Sequence, residues 1–294
     1  MEQSENIYSA PDPFGDDPMF EYPDYPEMDD TFVIPQHYER YSDDDHKVWQ
    51  ELFARQEEVL EHRGCKAYRD ALAAMDLPHD AIPRFEDTTA LLKERTNWEI
   101  VAVPGLIPNT AFFDHLANRR FPVTHWMRKR EEMDYLEEPD VFHDFYGHVP
   151  LLMQPEFADY MQLYGKAGAK AMRMDALPNL SRLYWYTVEF GLIREEGQLR
   201  IYGAGILSSK KESIYSLESD VPNRVAFEIE RIMRSDYRID DVQDTYFVID
   251  SFEQLLKETR DTDFAPIYER VVGTSTHAAN ARLDSDVVIP PNAA

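Results

Sequence analysis

The chain runs to 294 residues and carries 30 basic against 56 acidic side chains, a formal net charge of −26. That sign repels phosphate backbones and anionic lipid, which argues against a nucleic-acid or membrane-surface partner and leaves small neutral or zwitterionic molecules. A single cysteine, Cys65, excludes an internal disulfide, the N-terminal MEQSENIYSAPDP has acids and prolines where a signal peptide needs basic and then apolar residues, and no apolar run is long enough to cross a bilayer, so a cytoplasmic protein is expected.

In chain order, residues 1–46 hold fourteen acids, six prolines and one arginine. This composition offers too little apolar surface to offset chain entropy, so an acidic, Pro-rich flexible tail is expected, with Tyr22, Tyr25 and Phe32 as residues able to pack on a neighbouring domain. A folded domain follows over 47–272. It opens with HKVWQELFARQEEVLEHRG, where Val48, Leu52, Val59 and Leu60 share a helix face that stops at Gly64. KAYRDALAAM, TTALLKE, PNTAFFDHLANR and QPEFADYMQLYGKAGAKAM read as further helices. RVAFEIERIMRSD and SFEQLLKETRD are expected to be helical as well. Strand signals are few and short: WEIVAVPG, LRIYGAG and DTYFVID. Residues 273–294 lack any sustained period and are expected to be a flexible C-terminal tail. There is no internal repeat, no heptad run and no Gly-rich phosphate loop.

Two features carry chemistry. In FHDFYGHVP, His143 and His148 stand five positions apart. By itself the pair is weak, because most histidines are simply hydrogen-bonded, and the spacing is not the one that lines a regular helix face. Gly147 and Pro150 suggest a distorted helical segment, in which a widened turn would bring such a pair to one side. In LYWYTVEFGLI, Glu189 sits among Val188, Phe190, Leu192 and Ile193, where an ionised carboxylate is costly unless it is paired, hydrogen-bonded or metal-bound. An internal ion pair or a turn outward to water would also satisfy it. Two imidazoles and one carboxylate are, however, the facial set that leaves positions open on non-haem Fe(II). Both histidines precede the acid by a long interval and no H-x-D triplet occurs, which argues against the jelly-roll oxygenases. No H-E-x-x-H is present either.

EPDVFHDFYGHVPLL, YWYTVEFGL and YGAGILSS, in this order and at these distances, closely resemble the pterin-dependent aromatic amino acid hydroxylases, in particular their short bacterial members that act on phenylalanine. The resemblance covers roughly residues 47–270. It implies a single catalytic domain, mainly α with a few short β-strands, in which His143, His148 and Glu189 hold Fe(II). Arg128, in HWMRKR, matches the family's arginine for the substrate carboxylate, a task suited to a planar fork; its alternative is a place in a surface basic cluster. Ser208 resembles the serine at the substrate's amino-acid end, and Pro139, Trp185 and Phe190 match the walls of the ring pocket. For the pterin, Gly105, Ile107 and Phe112 in VPGLIPNTAFF match backbone-contact and stacking positions, with Tyr184 and Asp144 nearby. Asp144 stands where animal members commonly carry glutamate.

The implied reaction is hydroxylation of L-phenylalanine to L-tyrosine with tetrahydropterin and dioxygen at iron. Tryptophan or tyrosine on the same scaffold is the nearest alternative, and Trp185 with the apolar Ile239 favours phenylalanine. From another class, a non-catalytic metal-binding protein could use an acidic tail to recruit a basic partner. Unlike animal relatives, the chain has no regulatory domain and no heptad-bearing C-terminal helix, so a monomer is expected.

Overall fold

A computed structural model describes residues 25–292 apart from positions 135 and 137. The expected mainly helical class with short strands is found. α1 (Asp43–Leu60) starts at a capping box between Ser42 and Asp45, with three acids in its first turn, and buries Val48, Trp49, Leu52, Phe53, Val59 and Leu60. α2 (Lys66–Met75) ends on Asp76 at φ 47°, and α3 (Phe85–Thr96) on Asn97 at φ 61°, left-handed stops that short polar side chains tolerate. β1 (Glu99–Val103) and β2 (Arg120–Thr124) form a two-stranded parallel sheet, joined by the crossover helix α4 (Asn109–Ala117).

The centre of the domain begins with a π-helical turn, Phe142–His148, followed by a short 3-10 turn and by α5 (Pro155–Arg173), which starts on proline. α6 (Leu177–Tyr184) runs directly into a second π segment, Trp185–Glu189. β3 (Leu192–Glu195) and β4 (Gln198–Ile201) make an antiparallel hairpin, then come α7 (Ala204–Leu207), α8 (Lys210–Glu218), β5 (Asn223–Ala226), α9 (Ile229–Met233), β6 (Thr245–Ile249), α10 (Phe252–Asp261) and α11 (Phe264–Val271). The second sheet has order β4-β3-β6-β5, with β6 parallel to both β3 and β5.

Three expectations need correction. RVAFEIERIMRSD is not one helix. Val225 is buried and Phe227 follows it at strand spacing, the strand pairs with β6, and the Glu228 carboxylate accepts from the Glu230 and Arg231 N–H groups, so helix begins only at Ile229. The stretch expected as an N-terminal tail is laid on the domain from Tyr25 onward; residues 1–24 lie outside the described set. Ile34 is buried and donates its N–H to the Ala102 carbonyl at 3.0 Å, and the Tyr25 hydroxyl meets His125 Nε2 at 2.6 Å. The C-terminal stretch likewise straps the second sheet. Ala226 N–H donates to the Val287 carbonyl, Ile289 N–H to that of Arg224, and Arg231 pairs with Asp286 at 2.9 Å. Both segments are held by isolated bridges and single anchors, which leave no period to read.

Candidate active site

The π turn explains the histidine spacing. Backbone bonding from i to i+5 widens one turn so that residues five apart face the same way, and His143 and His148 stand with ring centroids 5.2 Å apart and planes at 81°. The Tyr68 hydroxyl from α2 donates to the Tyr146 carbonyl at 2.8 Å, which occupies one backbone acceptor of the irregular turn. The second π segment closes with Phe190 N–H on the Trp185 carbonyl at 2.8 Å and brings Glu189 opposite the histidines. Its carboxylate oxygens lie 3.0 Å from His148 Nε2 and 3.4 Å from His143 Nε2. One donor atom from each residue falls within 4.8 Å of the other two.

α7 wedges between these two segments. A Cβ on Gly203 would sit 2.4 Å from the Glu189 carbonyl oxygen, and one on Gly147 would sit 2.9 Å from that of Ala204. Bare backbone is therefore needed where YGAG meets both π turns. Gln56 of α1 anchors the other end of α7, donating to the Leu207 carbonyl at 2.7 Å.

The next layer of contacts orients the donors. The Ser208 hydroxyl donates to the Ala204 carbonyl at 2.8 Å, so at 3.0 Å from His143 Nδ1 it accepts that nitrogen's proton and leaves Nε2 to face Glu189. Burial pushes the Glu189 carboxyl up, but His148 and His143 outweigh it and hold the group far below its usual range. His143 is correspondingly held above its ordinary value, with Glu189 outweighing the burial that opposes charge. The three side chains turn lone pairs toward one another, and a divalent cation competes with protons for them. Asp144 is buried, which raises its carboxyl; the Thr124 N–H donates to it at 2.8 Å and ties the π turn to β2.

The three donors line a cavity of about 540 Å3, within the range of small-molecule sites. Every metal, substrate and pterin candidate named from the sequence lines it. The lining includes Gly105, Ile107, Phe112, Asp144 and Tyr184, with the Phe112 and Tyr184 rings edge to face at 5.7 Å, together with Arg128, Pro139, Trp185, Phe190, Ser208 and Ile239. Arg128 is buried rather than part of a surface cluster. Its Nε and Nη2 each donate to Asp140 at 2.8 Å, and Asp140 also accepts from the His143 N–H at 3.0 Å. Burial pushes Asp140 up and Arg128 outweighs it, so the acid stays ionised.

Asp140 was not among the sequence candidates, because an acid following proline reads as a solvated turn. Glu212 and Gln243, both in the cavity wall, were not among them either. Glu212 follows Ser209 by three positions, a spacing that reads as a helix cap. Ser209 does cap α8, but the Glu212 side chain turns inward to Gln243 and Tyr246.

A helical domain with two histidines and one carboxylate in the lining of a cavity has the donor set of a mononuclear non-haem iron protein, in which three protein ligands would leave positions for dioxygen or water. The family model for biopterin-dependent aromatic amino acid hydroxylases matches residues 33–275, and the chain belongs to that family. It is 53% identical over 258 residues to the phenylalanine-4-hydroxylase of Ralstonia nicotianae, covering 88% of this chain and 82% of that one. The Chromobacterium violaceum phenylalanine-4-hydroxylase is also 53% identical, over 88% of this chain and 86% of its own. The iron- and phenylalanine-bound crystal structure of phenylalanine hydroxylase from C. violaceum superposes with a TM-score of 0.85 at 51% identity, covering 88% of this chain and 94% of that one.

Proposed function

We infer that the chain is a phenylalanine 4-monooxygenase, converting L-phenylalanine to L-tyrosine with Fe(II), a tetrahydropterin and dioxygen. The observation that carries the reading is three metal-type donors brought together in a cavity whose lining also holds Arg128 and several aromatic rings. The donor set fits iron, because Ser208 fixes the His143 tautomer and Glu189 supplies an ionised carboxylate.

Iron and the reduced pterin, when bound, supply the oxygen chemistry. The chain's own share is positioning and the exclusion of water. Arg128 offers the substrate carboxylate its Nη1 edge while Asp140 holds the other edge, and Ser208 serves the substrate's amino-acid end. Pro139, Trp185 and Phe190 enclose the ring, with the indole tilted over Phe190 at 4.8 Å. Gly105, Ile107, Phe112, Asp144 and Tyr184 form the pterin face. Among the described residues no helix is long and apolar enough to cross a membrane; a cytoplasmic monomer is part of the proposal, checked by light scattering and cell fractionation.

The deciding experiment is product analysis with iron, tetrahydropterin, oxygen and equimolar phenylalanine, tryptophan and tyrosine. Tyrosine formed from labelled phenylalanine as the main product is expected. A main product from tryptophan or tyrosine, or pterin oxidation with no hydroxylated amino acid, overturns the reading. His148→Ala should lose stoichiometric iron and turnover while keeping its helical circular dichroism; full activity in that variant would remove the ligand assignment.

A further inference from the structure

One side of the cavity is a loop without regular structure, and it contributes Arg238, Ile239, Asp240, Asp241, Val242 and Gln243. Of these six, only Gln243 is buried. Its side chain closes the loop on itself: Oε1 accepts the Arg238 N–H at 3.3 Å and Nε2 donates to the Arg238 carbonyl at 2.7 Å. The same Oε1 accepts the indole N–H of Trp185 at 3.0 Å. Tyr237, at the loop's start, stacks on that indole at 4.3 Å with planes 19° apart. The indole and the loop therefore share one keystone, and moving Gln243 moves both.

The keystone hangs from α8. The Gln243 backbone N–H donates to Glu212 Oε1 at 3.0 Å, and the Tyr246 hydroxyl of β6 donates to the same oxygen. Glu212 is 5% exposed and makes no ion pair among the described residues; its neighbour Lys211 reaches Asp241 instead. A buried carboxyl with no cation is costly and is not needed to cap the helix, a task Ser209 already performs. What it does hold is the loop: one of its oxygens joins α8, β6 and the residue that bonds the Trp185 indole.

We propose that Glu212 is a positioning residue for ring selectivity, which through Gln243 sets the place of the Trp185 indole and of the Arg238–Val242 wall. Its side chain need not touch substrate. It fixes the two surfaces that do, and so decides how closely the cavity fits a single six-membered ring as against a larger bicycle. The proposal rests on the aromatic amino acid reading above. If that reading fails, the parent enzyme hydroxylates no amino acid; if only this inference fails, the parent does so and the variants below share its preference.

The test is competition between phenylalanine and tryptophan, with both hydroxylated products quantified at equal iron occupancy. Glu212→Ala removes the acceptor and should raise KM for phenylalanine about tenfold and lower the phenylalanine-to-tryptophan product ratio at least about threefold, magnitudes expected of apolar pocket fit. Glu212→Gln keeps an acceptor oxygen in place and should restore most of both. Gln243→Met leaves its backbone N–H on Glu212 but cuts the bond to the indole; it should reproduce the loss of selectivity, and it serves if the alanine variant fails to fold. A parental product ratio in Glu212→Ala or in Gln243→Met, or a Glu212→Gln variant as impaired as the alanine one, overturns the proposal.

Discussion

A guanidinium has two usable edges, and at Arg128 one of them is already committed to Asp140 through Nε and Nη2 at 2.8 Å each. A lysine there has one compact ammonium to divide between a buried carboxylate and a substrate carboxylate. Arg128→Lys should therefore raise KM for phenylalanine by about tenfold or more while iron content stays normal, and lower stability by about 1–3 kcal/mol as Asp140 loses a donor. Steady-state kinetics with an iron assay checks this, and an unchanged KM would assign Arg128 to Asp140 alone. Glu212 gives the second residue-scale prediction. Burial outweighs its two donors and pushes its carboxyl from 4.5 up to about 7; Lys211 weakly favours its charge, and Asp241 opposes it. Across the same contact, Tyr246 faces Tyr215 and Arg224. A raised carboxyl binds its proton more tightly in the folded state, so this stabilisation is complete below about 4.5 and is lost as pH rises through about 7. Glu212→Gln cannot ionise, so its Tm should gain on the parent's as pH rises from about 4.5 to about 7 and then hold an advantage on the order of 3 kcal/mol. Parallel Tm profiles for the two proteins over that window would contradict the raised carboxyl.

At the scale of elements, the site depends on two π turns and the short helix pressed between them. The first turn uses a donor spacing that an ordinary helix does not provide, the second carries Glu189 alone, and α7 touches both only because Gly203 and Gly147 have no side chains. Gly203→Ala would force a methyl to within 2.4 Å of the Glu189 carbonyl, so the backbone carrying the carboxylate must shift. The expected result is a loss of about 2–3 kcal/mol from overpacking, together with an iron affinity lowered at least about tenfold. Metal titration followed by thermal denaturation measures both. Parental iron affinity in this variant would show that α7 yields rather than Glu189.

Over the whole molecule, the chain's last described stretch closes the second sheet. It covers β5 through the Val287 carbonyl and the Ile289 N–H, and at its far end Asn292 clamps Leu199 of β4, accepting from its N–H at 2.7 Å and donating to its carbonyl at 3.1 Å. Just before Val287, Asp286 pairs with the buried Arg231. Ending the chain after residue 282 strips a buried guanidinium of its partner and uncovers a strand edge. Unfolding in urea should show a loss of about 3–5 kcal/mol. Among the described residues none beyond Gln243 lines the cavity, so turnover per iron-loaded molecule at low temperature should stay within about twofold, a barrier change under about 1 kcal/mol. A truncated protein as stable as the parent would reduce the strap to a passive tail.

Much of this was open to a reader of residues alone. The buried faces of α1, α2, α5 and α10 follow from local period, and the donor chemistry of His143, His148 and Glu189 follows from residue type and from motifs that resemble a known family. Even the widened turn was foreshadowed by Gly147 and Pro150. The strands β2, β3 and β5 were not, because four or five residues carry too little period and owe their state to partners elsewhere in the chain; β2 even contains Pro122, which ordinarily argues against a strand. The same holds for Asp140, Glu212 and Gln243. Each is a polar residue whose sequence neighbours suggest a turn, a cap or a loop, and each acquires its role from a hydrogen bond to a side chain or backbone that folding brings near: Asp140 to Arg128, Glu212 to Gln243, Gln243 to Trp185. Local pattern records which residues prefer burial, but a buried hydrogen bond requires a particular partner at about 3 Å, and that pairing exists only once distant segments have packed.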